Sequence, residues 1–304
     1  MGDISSGKLI AVDWGTTRLR ARLVDGKGAL VAEANSDRGI GVLNGSGHEA
    51  AFESLVAAWP AVPAIMTGMV GSRQGWREAA YVPCPADAAA VALAMTRLTT
   101  ARGREVAIIP GLRVGNANVM RGEETQIVGL IATEAAFSGT AVLPGTHSKW
   151  VKVQRGTMVD FASFISGELF ALLARHSLLR HSVGDPDAMG DVSGSADFLA
   201  GVDYARRVPF PAAIFSVRVR QLLTDTAPEA NLAYLSGLVI GGEIASAMAL
   251  GVADGPLRII AAQNLGRAYQ AALGVFNLTA DVHDGDAMAL AGLLSLARAI
   301  GWLA

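Results

Sequence analysis

The chain has 304 residues, which is enough for two domains or one large one. A hydrophobic content of 51% predicts a large core, and a net charge of −2 with a pI near 6.2 offers no basic face for nucleic acid. The single cysteine, Cys84, excludes a disulfide framework and fits a reducing cytosol. We expect a soluble cytoplasmic protein without a secretory signal or membrane span, because Asp13 and Arg298 interrupt the apolar runs that precede them.

The first half of the chain predicts strands alternating with helices. The strands have apolar or period-2 patterns, and the first helix places Phe52, Leu55, Val56 and Trp59 at helical spacing. In chain order we predict strands at 8–14, 18–25 and 29–36, a helix at about 48–59, a strand at 63–70, a Gly-rich loop at 71–77, a helix near 86–99, a strand at 104–110 and a helix at 122–133.

The pattern restarts after Ser138-Gly139. It predicts strands near 141–147, 149–155 and 157–164, a helix at 167–179, mostly helices over 195–250, a strand at 257–262, a helix at 266–273, a strand at 278–283 and a final helix at 286–300. The two halves therefore predict a duplicated βββαβαβα architecture with domains at 1–137 and 138–304, in which the last helix could pack back on the first domain.

One short turn motif occurs once in each half, between an apolar strand and an alternating one. A Gly-Thr turn suits a polyphosphate, since glycine lets the backbone come close while N–H groups and hydroxyls donate to phosphate oxygens. Two such hairpins facing each other could clamp a nucleotide. The candidate phosphate-binding residues are Gly15, Thr16, Thr17 and Arg18 in the first turn, and Gly145, Thr146, His147, Ser148 and Lys149 in the second.

Two carboxylate positions accompany the turns. Asp13, at the end of the first strand, is a natural place to hold Mg²⁺ through waters. Glu123 and Glu124 open a predicted helix after Gly122, where the helix dipole stabilises anions, and they are candidates for a general base. The alternatives are an ordinary hairpin with a Thr-rich turn and an acidic first helical turn without catalytic function.

The two turns resemble the two phosphate motifs of the actin-like ATPase and sugar-kinase superfamily, and the chain as a whole resembles the 2-dehydro-3-deoxygalactonokinase family within it. The blocks that carry this resemblance run in order from about residue 9 to residue 290: 11–20, 67–72 with Gly75-Trp76, 118–126, 143–151, 166–169, 235–241 and Gly285-Asp286. The resemblance implies an α/β fold of two duplicated actin-like ATPase (ribonuclease H-like) domains with a ligand cleft between them. It also implies ATP- and Mg²⁺-dependent formation of the 6-phosphate of 2-dehydro-3-deoxy-D-galactonate in galactonate catabolism.

The resemblance also suggests roles for single residues. Many sugar kinases of the superfamily have a catalytic Asp at the start of the helix that corresponds to 122–133 here. Glu123 is therefore the favoured base and Glu124 the alternative. A sugar-acid substrate needs a partner for its carboxylate, and Arg121 could pair with it bidentately, with Arg73 and Arg38 as alternatives. The other candidate substrate-binding residues are Gly71, Ser72, Trp76 and Glu168, the last of which could instead hydrogen-bond the loop.

The adenosine site is the least specific part of the pattern. Gly237, beside Ser236, could admit a flat ring, whereas Gly241-Gly242 is more typical of helix–helix packing. Gln263 and Asn264 follow a strand that resembles the superfamily's adenosine motif, but that motif usually has Gly at this turn. ATP is therefore expected, with the nucleotide preference left open.

Other functions remain possible at this stage. One is a kinase for another small sugar or sugar acid, and one of a different class is a nucleotide-driven actin-like binding or filament protein. The short chain argues against the second, because it has no obvious room for subdomain insertions. We expect a small sugar acid and ATP as partners, no nucleic acid and no membrane, and a homodimer is possible.

Overall fold

The computed structural model describes residues 3–43 and 46–304. The chain divides into two compact units. The first unit comprises residues 1–137, 154–160 and 286–304, and the second comprises 138–153 and 161–285. The C-terminal segment is thus part of the first unit.

Strands and helices alternate along both units. The strands are β1 Leu9–Trp14, β2 Leu19–Val24, β3 Leu30–Ser36, β4 Ala64–Gly68, β5 Tyr81–Pro83, β6 Thr96–Thr99, β7 Glu105–Ile108, β8 Gly111–Val114, β9 Asn118–Met120, β10 Gly139–Leu143, β11 Ser148–Gln154, β12 Thr157–Phe164, β13 Leu257–Ala261 and β14 Ala280–Asp284. The helices are α1 Ile40–Leu43, α2 His48–Leu55, α3 Ala88–Leu93, α4 Glu123–Thr133, α5 Ser166–His176, α6 Ala196–Arg207, α7 Phe210–Ala213, α8 Ser216–Leu223, α9 Pro228–Ala249, α10 Gln263–Val275 and α11 Gly285–Ala299.

The first unit is built on a six-stranded sheet of order β3-β2-β1-β4-β7-β6. β1, β2 and β3 pair antiparallel, whereas β4 and β7 continue the sheet parallel to β1. β1 is apolar on both faces and buried almost throughout, as expected for a central strand, while β2 alternates buried and half-buried residues. Because β1 and β4 run parallel, both end at the same edge of the sheet, where the residues after them meet.

The second unit repeats this arrangement in a five-stranded sheet of order β12-β11-β10-β13-β14. β10 pairs antiparallel with β11 and parallel with β13, which pairs parallel with β14. Both sheets therefore begin with three consecutive strands and continue with parallel strands, in agreement with the predicted repeat of three strands followed by alternating helices and strands. The long apolar helix α9 has the length and composition of a membrane span, but its residues are largely buried inside this unit, as in the core helix of a soluble protein.

The first unit departs from the predicted pattern in its middle. The helix predicted near 86–99 is wrong in its second half: α3 ends at Leu93 and residues 96–99 form β6, which pairs antiparallel with β7. A small sheet of order β5-β8-β9 was not predicted either. Its strands are three or four residues long, too short to show a period-2 pattern above noise.

Close contact between α4 and α11 depends on two glycines. A Cβ on Gly129 would collide with the carbonyl oxygen of Met288, and a Cβ on Gly292 would collide with that of Thr125. The two backbones therefore approach too closely for any side chain at either crossing point. This contact holds the C-terminal helix against the helix that begins at Glu123.

We expect Gly129→Ala to lower the free energy of unfolding by about 1–3 kcal/mol, because the methyl group forces the two helices apart. Gly274→Ala in α10 is the matched control: no described atom lies within 4 Å of its Cβ position, setting aside its chain neighbours and nearby helix backbone. Alanine there should be neutral or stabilising by up to about 1 kcal/mol. Urea unfolding of both variants measures the difference, and equal effects would contradict the proposed crossing.

Candidate active site

The first Gly-Thr turn connects β1 to β2 and has a fixed backbone with exposed side chains. The Gly15 N–H donates to the Arg18 carbonyl at 2.9 Å, and the carbonyls of Gly15 and Thr16 accept from the N–H groups of Ile40 and Gly41 at 3.0 and 2.9 Å. The side chains of Thr16, Thr17 and Arg18 are exposed. The turn is thus held from behind by the residues that start α1, while its hydroxyls and its guanidinium remain accessible.

Asp13 lies at the end of β1 in a cluster of opposite charges. Arg20, its partner across the hairpin, has Nη2 at 3.8 Å from the Asp13 carboxylate, and its Nη1 pairs with Asp286 in the first turn of α11. Burial raises the pKa of Asp13, and the positive charge of Arg20 opposes that shift. The Asp13 carboxylate is about one-third exposed, at 32%.

The first turn of α4 lies against the end of β4. Gly68 and Gly122 both have positive φ, of 94° and 108°, and a Cβ on Gly122 would be 3.4 Å from the Gly68 Cα. A hydrogen bond of 2.6 Å joins the Thr67 and Thr125 hydroxyls. Thr67 in turn stands opposite Asp13 in the β1–β4 register. The structure therefore brings Asp13 and the start of α4 together.

The two neighbouring glutamates of α4 have different environments. Glu124 is fully buried, and its carboxylate accepts from the Gly122 N–H at 2.8 and 3.0 Å and from the Thr125 hydroxyl at 3.1 Å. Burial and the negative charge of Glu123 raise the pKa of Glu124 to about 7. Glu123 is half-buried and accepts from the Arg121 N–H at 2.9 Å. Only Glu123 combines a carboxylate at this helix start with partial exposure.

The predicted sugar-site residues after β4 surround Gly71. The Arg121 guanidinium donates from Nη2 to the Ala79 carbonyl at 2.7 Å and stacks on the Tyr81 ring with 4.3 Å to the centroid. A Cβ on Gly71 would lie only 2.8 Å from Nη1 of Arg121, so the guanidinium packs directly against this glycine. Nη1 of Arg121 and Oγ of Ser72 are buried, and neither has a hydrogen-bond partner among the residues that the structure describes. Two donors beside Gly71 thus lack an acceptor.

Trp76 belongs to an aromatic cluster next to this loop. It is half-buried, with its ring centroid 6.3 Å from Trp14 and 6.0 Å from Phe52. His48 packs edge-on to Trp14 at 5.9 Å. Trp76 therefore packs on the core of the first unit, and its role in sugar binding stays a prediction.

The second Gly-Thr turn connects β10 to β11, and its residues divide into exposed and buried groups. Gly145, Thr146 and His147 are exposed, whereas Ser148 and Lys149 are buried. The Ser148 hydroxyl lies 3.2 Å from the Tyr269 hydroxyl, and Lys149 Nζ donates to the His147 carbonyl at 3.2 Å. Both are buried because β11 is an interior strand of its sheet, and their role in phosphate binding stays a prediction.

The start of α5 packs directly on this turn. A Cβ on Gly167 would collide with the Gly145 carbonyl oxygen, and the Glu168 N–H donates to the Thr146 carbonyl at 3.0 Å. The Glu168 carboxylate lies 2.6 Å from His147 Nε2. Glu168 therefore contacts the second turn, and its assignment to the sugar site stays a prediction.

A pocket of about 290 Å³ opens beside the second turn, within the second unit. Most of its exposed surface is apolar, which suits a flat aromatic ring. The residues lining it are Gly145, Thr146, Ser166, Gly167, Phe170, Met189, Ser236, Val239, Ile240, Leu265 and Tyr269. The sequence did not point to most of them, because Phe170, Ile240 and Leu265 are apolar helix residues that look like ordinary core positions.

Gly237 and Gln263 lie outside this pocket, and their assignment to the nucleotide stays a prediction. A Cβ on Gly237 would collide with the Phe198 carbonyl oxygen, so this glycine allows α9 to pack on α6 and does not line the pocket. Gln263 lines a separate, more polar cavity with Arg267 and Asp284. Asn264 accepts from Arg267 Nη2 at 2.8 Å in the first turn of α10.

Comparison with known proteins shows which family the chain resembles. The model of the family described as 2-keto-3-deoxy-galactonokinase matches residues 13–296 of this chain. A Rhizobium meliloti (strain 1021) protein named "Probable 2-dehydro-3-deoxygalactonokinase DgoK1" is 39% identical over 97% of this chain and 98% of its own. The 2-dehydro-3-deoxygalactonokinase of Escherichia coli (strain K12) is 34% identical over 97% of this chain and 99% of its own.

A solved structure shows the same fold. A crystal structure of a Sinorhizobium meliloti protein, provisionally assigned as a 2-dehydro-3-deoxygalactonokinase, is 39% identical, covers 97% of this chain and 98% of its own, and has a TM-score of 0.88. Two more distant neighbours share the fold: an activator of the 2-hydroxyisocaproyl-CoA dehydratase from Clostridium difficile, 12% identical with a TM-score of 0.52, and a glycerol kinase from Plasmodium falciparum, 8% identical with a TM-score of 0.51. These similarities confirm the predicted fold class.

The buried Glu124 predicts a pH-dependent stability. Its pKa is raised from 4.5 to about 7 in the folded chain, so its stabilising contribution is complete below pH 4.5 and is lost as pH rises through about 7. We expect Glu124→Gln, which cannot ionise, to become more stable relative to the wild type by up to about 3 kcal/mol between pH 5 and pH 8. Urea unfolding at four pH values measures this difference, and a difference that stays constant with pH would contradict the assignment.

Proposed function

Since the chain belongs to the 2-keto-3-deoxy-galactonokinase family, we propose that it is a cytoplasmic enzyme that uses ATP to phosphorylate 2-dehydro-3-deoxy-D-galactonate to the 6-phosphate in galactonate catabolism. The observation that carries this proposal is identity of 34–39% to relatives named for that activity, over nearly the whole of each chain. The carboxylate pair at the start of α4 supports it, because it lies in the unit that also holds Asp13 and the unpartnered donors near Gly71.

Phosphoryl transfer requires a base for the acceptor hydroxyl and a neutralised phosphate chain. In the proposed reaction the 6-hydroxyl oxygen forms a bond to the γ-phosphorus, the bond from that phosphorus to the bridging oxygen of ADP breaks, and the hydroxyl proton passes to Glu123. Glu123 suits this role because it is half-buried at the dipole-positive end of α4. Glu124, fully buried behind it, caps the helix and holds its first turn in place.

Asp13 is the proposed anchor for Mg²⁺. Its carboxylate is partly exposed at the end of β1. A single carboxylate of this kind fits Mg²⁺, which binds mainly to phosphates and waters with one or two carboxylates instead of a full protein cage. When bound, Mg²⁺ would neutralise charge on the phosphates during transfer. Asp13 would orient its waters while Arg20 and Asp286 fix the carboxylate.

The two Gly-Thr turns are the proposed phosphate contacts. The exposed hydroxyls of Thr16 and Thr17 and the N–H groups of the second turn can donate to phosphate oxygens. The apolar pocket beside Gly145 and Thr146 would take the adenine and ribose, with Phe170 and Leu265 contacting the ring. Adenine recognition would then depend on apolar contact more than on Gln263 or Asn264.

The substrate carboxylate is proposed to bind beside Gly71. A buried donor without an acceptor is unfavourable, so Ser72 Oγ and Arg121 Nη1 would both gain from an anionic ligand. A carboxylate presents several lone pairs and can accept from both groups at once. This pairing would distinguish a sugar acid from a neutral sugar.

A coupled assay of ADP release across a panel of sugars and sugar acids tests the function. We expect turnover of 2-dehydro-3-deoxygalactonate to exceed that of neutral hexoses by at least two orders of magnitude in kcat/KM, because neutral sugars leave the two donors unpaired. Turnover of hexoses without turnover of the keto acid would refute the substrate assignment and retain the kinase class. ATP hydrolysis that no sugar affects would favour the actin-like binding protein.

We expect Glu123→Gln to lower kcat by roughly 10²–10⁴, because the amide cannot accept the hydroxyl proton, while nucleotide binding stays nearly unchanged. Glu134→Gln, the same substitution at the other end of α4, is the control and should retain activity. Steady-state kinetics and calorimetric nucleotide binding provide both values. Retained turnover in Glu123→Gln with loss in Glu124→Gln would transfer the role to Glu124, and retained turnover in both would refute a glutamate base.

We expect Ser72→Ala to raise KM for the sugar acid about 10-fold without lowering stability, because its hydroxyl has no described partner in the folded chain. Arg121→Ala should raise KM further but also destabilise, since it removes the contacts with Ala79 and Tyr81. Arg73→Ala is the control, because that side chain is 84% exposed. If KM rose in Arg73→Ala but in neither Ser72→Ala nor Arg121→Ala, the substrate carboxylate would be assigned to Arg73 instead.

A further inference from the structure

A buried carboxylate on α9 has no role in the mechanism above. Glu243 is only 4% exposed. Its two oxygens accept hydrogen bonds from Trp150 Nε1 at 2.8 Å and from the Tyr269 hydroxyl at 2.9 Å. The hydroxyls of Ser166 and Ser148 also stabilise its charge and lower its pKa. Two donors at hydrogen-bond distance and two serine hydroxyls, from different parts of the sequence, thus act on one carboxylate.

These four groups lie on the elements that build the pocket and the second turn. Ser148 and Trp150 belong to β11, which starts at the end of the turn, and Ser166 is the first residue of α5. Tyr269 belongs to α10. Ser166 and Tyr269 also line the pocket beside Gly145 and Thr146. Glu243 therefore lies behind the pocket wall. It connects α9 to α5 and α10, which line the pocket, and to β11, which follows the second turn.

Burying a carboxylate at this position costs free energy of folding, so its presence calls for an explanation. Burial raises the pKa of Glu243, which measures the cost of keeping the charge away from water, while the four groups oppose that rise. A well-packed apolar residue would stabilise the fold as well or better. What a carboxylate adds is direction, because it accepts only, and so each group that hydrogen-bonds to it must donate towards it.

We propose that Glu243 is a positioning residue of the nucleotide pocket, which holds Tyr269, Ser166 and the start of β11 in the arrangement that receives the nucleotide. This inference rests on the proposed function, in that the pocket's ligand is taken to be ATP or ADP. Glu243 itself does not line the pocket, so its effect on binding would pass through the residues it holds.

Calorimetric titration with ADP, with and without Mg²⁺, tests the proposal directly. In Glu243→Gln one of the two accepting oxygens becomes an amide NH₂ group, so the hydrogen bond from Trp150 or from Tyr269 is lost or reversed. We expect the Kd of ADP and the KM of ATP to rise about 10-fold or more, with KM of the sugar acid changed less than 2-fold. Glu53→Gln is the matched control: Glu53 is a buried acid of the first unit, paired with Arg104 at 3.3 Å. It should lower Tm while leaving the Kd of ADP within 2-fold.

Trp150→Phe provides a second variant should Glu243→Gln fail to fold. It removes one donor to the carboxylate, and Trp150 does not line the pocket. We expect a 3- to 10-fold weaker Kd of ADP. A lower Tm with an unchanged Kd of ADP, in either variant, would reduce Glu243 to a structural residue and overturn the proposal. A wild-type chain that binds no ADP would instead refute the nucleotide part of the proposed function, and this inference with it.

Discussion

The close approach of α4 to the end of β4 is the constraint on which the candidate active site depends. Gly68 and Gly122 both adopt positive φ and meet without side chains, which lets the first turn of α4 reach the edge of the sheet. The Thr67–Thr125 hydrogen bond fixes the approach, and Asp13 stands opposite Thr67 in the neighbouring strand. The positions of the metal-binding candidate and the base candidate therefore follow from one contact between strand and helix.

Each unit has a buried carboxylate that accepts hydrogen bonds from the start of a helix or a strand. In the first unit Glu124 accepts from the backbone before its own helix, which leaves the adjacent Glu123 as the accessible carboxylate. In the second unit Glu243 accepts from side chains of β11 and α10. In each case the buried acid is satisfied internally and stands one layer behind the residues that can reach a ligand. This arrangement separates the group that positions from the group that contacts.

The sequence predicted those parts of the fold whose signal is local. The apolar run of β1, the alternation of β2 and the acidic start after Gly122 each reflect the physical environment of a single element, and the structure has those elements there. Two Gly-Thr turns in matching positions also indicated the repeated sheet order. The small sheet of β5, β8 and β9 escaped because its strands are too short for periodicity to register.

Side-chain environment was harder to predict than element type. Ser148 is polar and follows a turn, yet it is buried, since its surroundings are set by Tyr269 from a helix more than a hundred residues later. Gly237 is a candidate for ring space in the sequence, and in the structure it packs against α6. The pocket-lining residues Phe170 and Leu265 carry no signal that separates them from the core. Such assignments depend on long-range packing, which no short pattern contains.

The most direct test of the account is a crystal structure of the chain with Mg²⁺, a non-hydrolysable ATP analogue and 2-dehydro-3-deoxygalactonate. The account predicts the 6-hydroxyl oxygen at a hydrogen-bond distance of about 2.6–3.2 Å from a Glu123 carboxylate oxygen, and the substrate carboxylate within reach of Ser72 Oγ and Arg121 Nη1. A 6-hydroxyl held by another group, with Glu123 turned away from the substrate, would contradict it.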